Sequence, residues 1–162
     1  MKNKAFTLIE LLVVVLIIGI LVAIAVPQYQ KAVEKTIMQE AIVNLRTIAK
    51  ANDVFYLQNG RYANYSEIDK LDISVPGEIK TSSATALDGN RIMTKYFIYA
   101  PNFGSGGAKA IAHRVKEGIS DYQNNAPYYM YINRTNRLYC IVGKGTSIQN
   151  KLCSQIYQNG YL

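Results

Sequence analysis

One acid stands where an acid is costly. Glu10 precedes a run from Leu11 to Val26 in which every residue is apolar except Gly19. A carboxylate beside such a run costs about 2.5–3.5 kcal/mol on membrane-insertion scales, so it is kept for a partner and a task. Two cysteines, Cys140 and Cys153, lie near the C-terminus. A bond between them would close a short loop and contribute on the order of 3 kcal/mol. Two free thiols are the alternative. The single histidine, His113, falls in an alternating apolar segment, where a lone histidine is ordinarily structural or at the surface. No nucleophile–histidine–acid set can be assembled around it, and no Cys/His spacing suits a metal. Asp69 and Asp72 are too few for a calcium site. The inventory reads as non-enzymatic, with no cofactor and no metal.

Length and charge bound the rest. The chain has 162 residues, 49% of them hydrophobic, with a formal charge of +7. One domain is the default at this length, with one modest core. Mean hydropathy near zero hides an apolar head and a soluble body. Lys2 and Lys4 precede the head; without them 16 basic residues face 11 acidic ones, near +5. The remaining cations are scattered, which reads as a solvated surface with, at most, weak non-specific attraction to DNA or anionic surfaces. Asn64-Tyr65-Ser66 and Asn133-Arg134-Thr135 match the N-glycosylation triplet, a pattern that recurs by chance. Tyrosine is abundant, 13 residues against no Trp, and is read as strand packing and amphipathic surface.

The apolar head meets the roughly 20 residues that a helix needs to cross a bilayer core. Lys2 and Lys4 keep its N-terminal side cytoplasmic and put the body outside, where disulfides persist. A secretory signal peptide competes, with Met1–Glu10 as its basic region, Leu11–Val22 as its apolar region and Ala23-Ile24-Ala25 as a small-x-small site. The run exceeds the usual length for that role, and Glu10 would have nothing to do there.

The stretch MKNKAFTLIELLVVVLIIGILVAIAVPQYQ resembles the N-terminus of type IV prepilins and type II secretion pseudopilins. The resemblance implies removal of a leader, residues 1–5, by a prepilin peptidase acting between Ala5 and Phe6. Phe6 then becomes an N-methylated terminus, and Glu10 pairs with the terminal amine of a neighbouring subunit. Ala5 stands where the family usually has Gly. The implied function is a structural subunit of an extracellular type IV pilus, a helical homopolymer serving adhesion, twitching motility or DNA uptake. A pseudopilin of a type II secretion system is the alternative, and a membrane-anchored binding module that never polymerises is a reading from another class. Implied partners are the chain itself, the peptidase, the inner-membrane assembly machinery and, before assembly, the inner membrane.

Residues 6–27 form the membrane or filament-core half of a long helix. Gly19 costs about 1 kcal/mol relative to Ala, and Pro27 removes a hydrogen bond at about 3 kcal/mol, so the stretch between them is its weakest part. Related filaments imply that it unwinds there on assembly; a simple kink is the alternative. In the body, 28–162, the segment 28–58 is amphipathic, with Val33, Ile37, Ala41, Leu45, Ile48, Asn52 and Phe55 on one stripe. Asn59-Gly60 is a helix stop. Residues 59–91 read as a connecting loop with a short helix at 66–71. Alternating segments at 92–100, 109–115, 128–133 and 137–142 predict a roughly four-stranded antiparallel sheet within 92–142, with its first turn at 103–107. One sheet face covers the stripe, an α+β arrangement. The region 140–153 ties the last strand to a C-terminal tail, as the disulfide-bounded region does in type IV pilins.

Overall fold

The computed structural model describes residues 6–82, 89–101, 107–115 and 126–159. The expected leader, with Lys2, Lys4 and Ala5, and most of the 103–107 turn lie outside the described residues. The fold class is α+β. Helix α1 runs Leu8–Asn59 without a break at Pro27. A single 3-10 turn follows at Ile68–Lys70. Six strands come next: β1 (Glu78–Ser82), β2 (Gly89–Met93), β3 (Phe97–Pro101), β4 (Ala108–Arg114), β5 (Tyr128–Asn133) and β6 (Leu138–Val142). Helix α2, Ser147–Asn159, closes the described chain. The sheet is an antiparallel meander in chain order. Two compact units emerge, residues 1–36 and 37–162, and α1 contributes to both.

In the second unit, Ile37, Ala41, Leu45, Ile48 and Phe55 are buried, as the stripe predicts, with Met38, Ile42 and Ala49 beside them. They share a core with Tyr99, Ala110, Ala112, Tyr128, Met130, Ile132 and Leu138 from one sheet face. Each large aliphatic or Phe side chain among them adds about 1.5–3 kcal/mol. Val33, placed on the stripe by spacing, is exposed. Gly60 stops α1 with a positive φ of 69° and donates its amide to the Tyr56 carbonyl at 2.8 Å, as a left-handed glycine cap does.

Two expectations need correction. The loop 59–91 contains β1 and most of β2, paired from Glu78↔Met93 to Ser82↔Gly89. Gly and polar residues there hid a hairpin of poor β propensity. The single strand expected at 92–100 is two, because Thr94–Tyr96 turn the chain; Thr94 Oγ1 accepts the amides of Tyr96 and Phe97. The C-terminal tail is a helix, started by a reciprocal cap in which Thr146 Oγ1 accepts from the Gln149 amide and Gln149 Oε1 from the Thr146 amide.

Buried polar groups fix the helix to the sheet. Asn52 Nδ2 donates to the Lys109 carbonyl at 2.8 Å, and Asn52 Oδ1 accepts from the Ala63 amide at 2.8 Å. A register shift between Ala108 and Ala110 makes Lys109 the extra residue of a bulge. Its Nζ then reaches Asp53 Oδ2 at 2.6 Å and contacts Asn136 Oδ1 in the β5–β6 turn. Glu67 accepts both Arg61 guanidinium nitrogens, at 2.6 and 2.8 Å, and Lys70 Nζ at 3.0 Å. Those hydrogen bonds, Arg61 first, hold its carboxyl well below the usual carboxylate range. His113 is buried on the opposite sheet face, stacked on Tyr129 at 5.4 Å, with Tyr129–Tyr131 and Tyr131–Tyr139 continuing the row. Tyr99 and Tyr128 thus pack in the core, while Tyr129, Tyr131 and Tyr139 form a cross-strand ladder.

Candidate assembly segment

The first unit presents a helix with nothing over its apolar residues. From Leu8 to Val26 every large hydrophobic residue is exposed, Leu8 by 81% and Leu21 by 61%. The helix is long and apolar enough to cross a membrane. Exposing that area to water is unfavourable by about 25 cal/mol per Å², so lipid or protein must cover it.

Glu10 sits at the start of this surface and is already engaged. Thr7 is the cap residue preceding Leu8, and Glu10 is the third residue of the helix. The Thr7 amide donates to Glu10 Oε2 at 2.8 Å and the Thr7 hydroxyl donates to the same oxygen at 2.6 Å. The Glu10 amide returns to Thr7 Oγ1 at 3.3 Å. This is a reciprocal capping box, which satisfies amides that the first helical turn leaves open. Sequence reasoning took Glu10 as an acid without a local role. The signal that would have found the box is the Thr-x-x-Glu spacing of Thr7 and Glu10.

Phe6, Ile9, Glu10, Val13 and Val14 line a shallow open hollow of about 370 Å³. Phe6, the expected new terminus, is 77% exposed. Gly19 lies mid-helix, and a Cβ there would meet nothing within 4 Å. Its glycine is not required by packing within the chain. Pro27 stays helical. The structure brings Phe6 and Glu10 to one hollow; Gly19 and Pro27 lie on further turns, and Cys140 and Cys153 are in the second unit. Those cysteines are bonded, with Cα atoms 5.3 Å apart, joining β6 to α2.

Residues 1–26 match the prokaryotic N-terminal methylation motif. That motif covers the N-terminal 26 of the 162 residues. The type IV major pilin protein PilA of Myxococcus xanthus is 42% identical over 65 residues, 40% of this chain and 30% of that one. The fimbrial protein of Pseudomonas aeruginosa is 38% identical over 88 residues, 54% of either chain. The type II secretion system core protein G of Pectobacterium carotovorum is 31% identical over 75 residues, 46% of this chain and 48% of that one. The chain spans about half the length or less of these curated relatives. No solved structure matches it. The resemblance read from the N-terminal residues to pilins and pseudopilins is borne out by the motif and by the relatives' names.

Proposed function

We propose that the chain is a structural subunit of an extracellular type IV pilus, assembled through residues 6–27, and not an enzyme. The observation that carries this is an exposed apolar segment, residues 8–26 of α1, whose one acid, Glu10, lies near its start, inside a methylation motif. The chain enters the inner membrane by that helix. A prepilin peptidase cuts between Ala5 and Phe6, and Phe6 is methylated. Processing leaves Thr7 in place, so the capping box persists in the mature chain. On assembly the apolar segments leave lipid and pack on one another, and Glu10 faces the terminal amine of a neighbour. A buried carboxylate opposite a buried amine costs far less than either alone and serves to set register. The stretch from Gly19 to Pro27, helical in the single chain, unwinds in the packed filament.

The likeness to core protein G favours a second reading, a pseudopilin of a type II secretion system. The disulfide at the C-terminal end supports the pilus. Glu10→Ala discriminates assembly from anchoring. It is expected to leave the membrane-fraction amount unchanged and to abolish or strongly reduce sheared surface filaments. Normal filament yield from this variant would sink the assembly role of Glu10.

A further inference from the structure

One group of side chains in the body has chemistry that the filament reading does not use. Lys109 on β4, Asp53 on α1 and Asn136 in the β5–β6 turn meet at one point. The Lys109 side chain is 1% exposed, an unusual degree of burial for a lysine. Its Nζ donates to Asp53 Oδ2 at 2.6 Å and contacts Asn136 Oδ1. Oδ1 is bonded to Asn136 Cγ, so a buried amine lies against an amide carbonyl while a carboxylate holds the same nitrogen.

The backbone fixes all three partners. The bulge that makes Lys109 the extra residue of β4 brings its side chain to α1, and Asn52 Nδ2 holds the Lys109 carbonyl at 2.8 Å. Asn136 is, among the described residues, the one non-glycine residue with a positive φ, 61°. Asparagine tolerates that conformation better than most side chains. The turn around it is tied down. Asn133 Oδ1 accepts the Thr135 amide at 3.0 Å and the Arg137 amide at 2.9 Å, and the Asn136 amide donates to the Asn133 carbonyl at 3.0 Å.

We propose that Lys109 and Asn136 join in an intramolecular isopeptide bond, formed by the folded chain without an added enzyme. Asp53 takes a proton from the Lys109 ammonium across their hydrogen bond, and the freed Nζ lone pair attacks Asn136 Cγ. Asp53 passes that proton to Asn136 Nδ2, and a second Nζ proton follows. The Cγ–Nδ2 bond breaks as the Nζ–Cγ amide forms. The nitrogen leaves as ammonium, Asp53 ends ionised, and nothing is oxidised or reduced. Amine and amide exchange slowly when free in water, but contact within one fold supplies effective molarities of about 10⁵–10⁸ M. The product is a neutral amide, which removes the desolvation cost of a buried ammonium. Asn136 is exposed, so the leaving nitrogen reaches water. The bond would tie β4 to the β5–β6 turn across 27 positions of sequence.

The test is peptide mapping by mass spectrometry of full-length protein purified in detergent, reduced, denatured and cut with trypsin. The expected result is no cut after Lys109 and a peptide of residues 96–114 joined to 135–137, lighter than the two together by one ammonia. Asn136→Gly suits the positive φ and keeps the turn, as unchanged circular dichroism would show. It should give a normal cut after Lys109 and no joined peptide. Asp53→Asn should lower the joined fraction about tenfold or more, because the proton carrier is gone. A wild-type map with only linear peptides overturns the bond, and so does a joined peptide that persists in Asn136→Gly. A pair lighter by one water instead of one ammonia would place the bond at a carboxylate and overturn Asn136 as the partner. An equal joined fraction in Asp53→Asn overturns the catalytic part given to Asp53.

Discussion

At the scale of single residues, Asn52 shows how a polar side chain specifies a fold. It satisfies a donor at Ala63 and an acceptor at Lys109, both buried. Asn52→Leu keeps the volume and leaves both groups unmet. The expected loss is about 2–4 kcal/mol, read from urea denaturation midpoints. His113 gives a pH dependence. Burial, with the Arg91 charge adding to it, pushes its pKa down to about 4 from 6.5. The folded state therefore holds the ring neutral, and this contribution is complete above pH 6.5 and is lost as pH falls toward 4. Glu67 acts with the same sign further down, since its depressed pKa contributes above the usual value of 4.5 and fades below it. His113→Gln should flatten the stability curve between those two values, a change on the order of 3 kcal/mol across the full window. An unchanged curve in that variant contradicts the assignment. Neither role was legible in the sequence. A lone histidine in an alternating segment reads alike on either sheet face, and the Lys109 bulge depends on strand pairing.

At the scale of elements, α1 was legible throughout its length, because apolar content, spacing and the Asn59-Gly60 stop all agreed. The capping box at its start was legible too, though only as a four-residue pattern. The β1–β2 hairpin was not, since its strands lack β-branched and aromatic runs and are set by pairing, β1 on β2 and β2 on β3. Helix α2 is short and polar, and it is held by the bond from Cys153 to Cys140 and by burial of Leu152. Cys140→Ser/Cys153→Ser should lower stability by about 3 kcal/mol, with loss of ordered α2 detected by faster amide exchange at 147–159. Gly19→Ala meets no obstacle within the chain. It should raise helix stability by about 1 kcal/mol in detergent. If unwinding from Gly19 to Pro27 is part of assembly, the same variant reduces filament extensibility under load; unaltered extensibility contradicts the unwinding.

At the scale of the whole molecule, the chain divides its chemistry. Residues 6–26 form a surface that water does not tolerate, and residues 37–162 hold a core of their own. A chain beginning at Gln28 should be soluble without detergent and keep native circular dichroism; aggregation or loss of the sheet signal would show that the body leans on the apolar segment. The central claim is that the full chain becomes a filament subunit by losing its leader. Electron microscopy of sheared surface material, with mass spectrometry of the subunit in it, tests that most directly. The account predicts filaments whose subunit begins at N-methylated Phe6, with Cys140 and Cys153 bonded. A subunit that keeps residues 1–5, or is found only in the inner membrane with no filament, would contradict it.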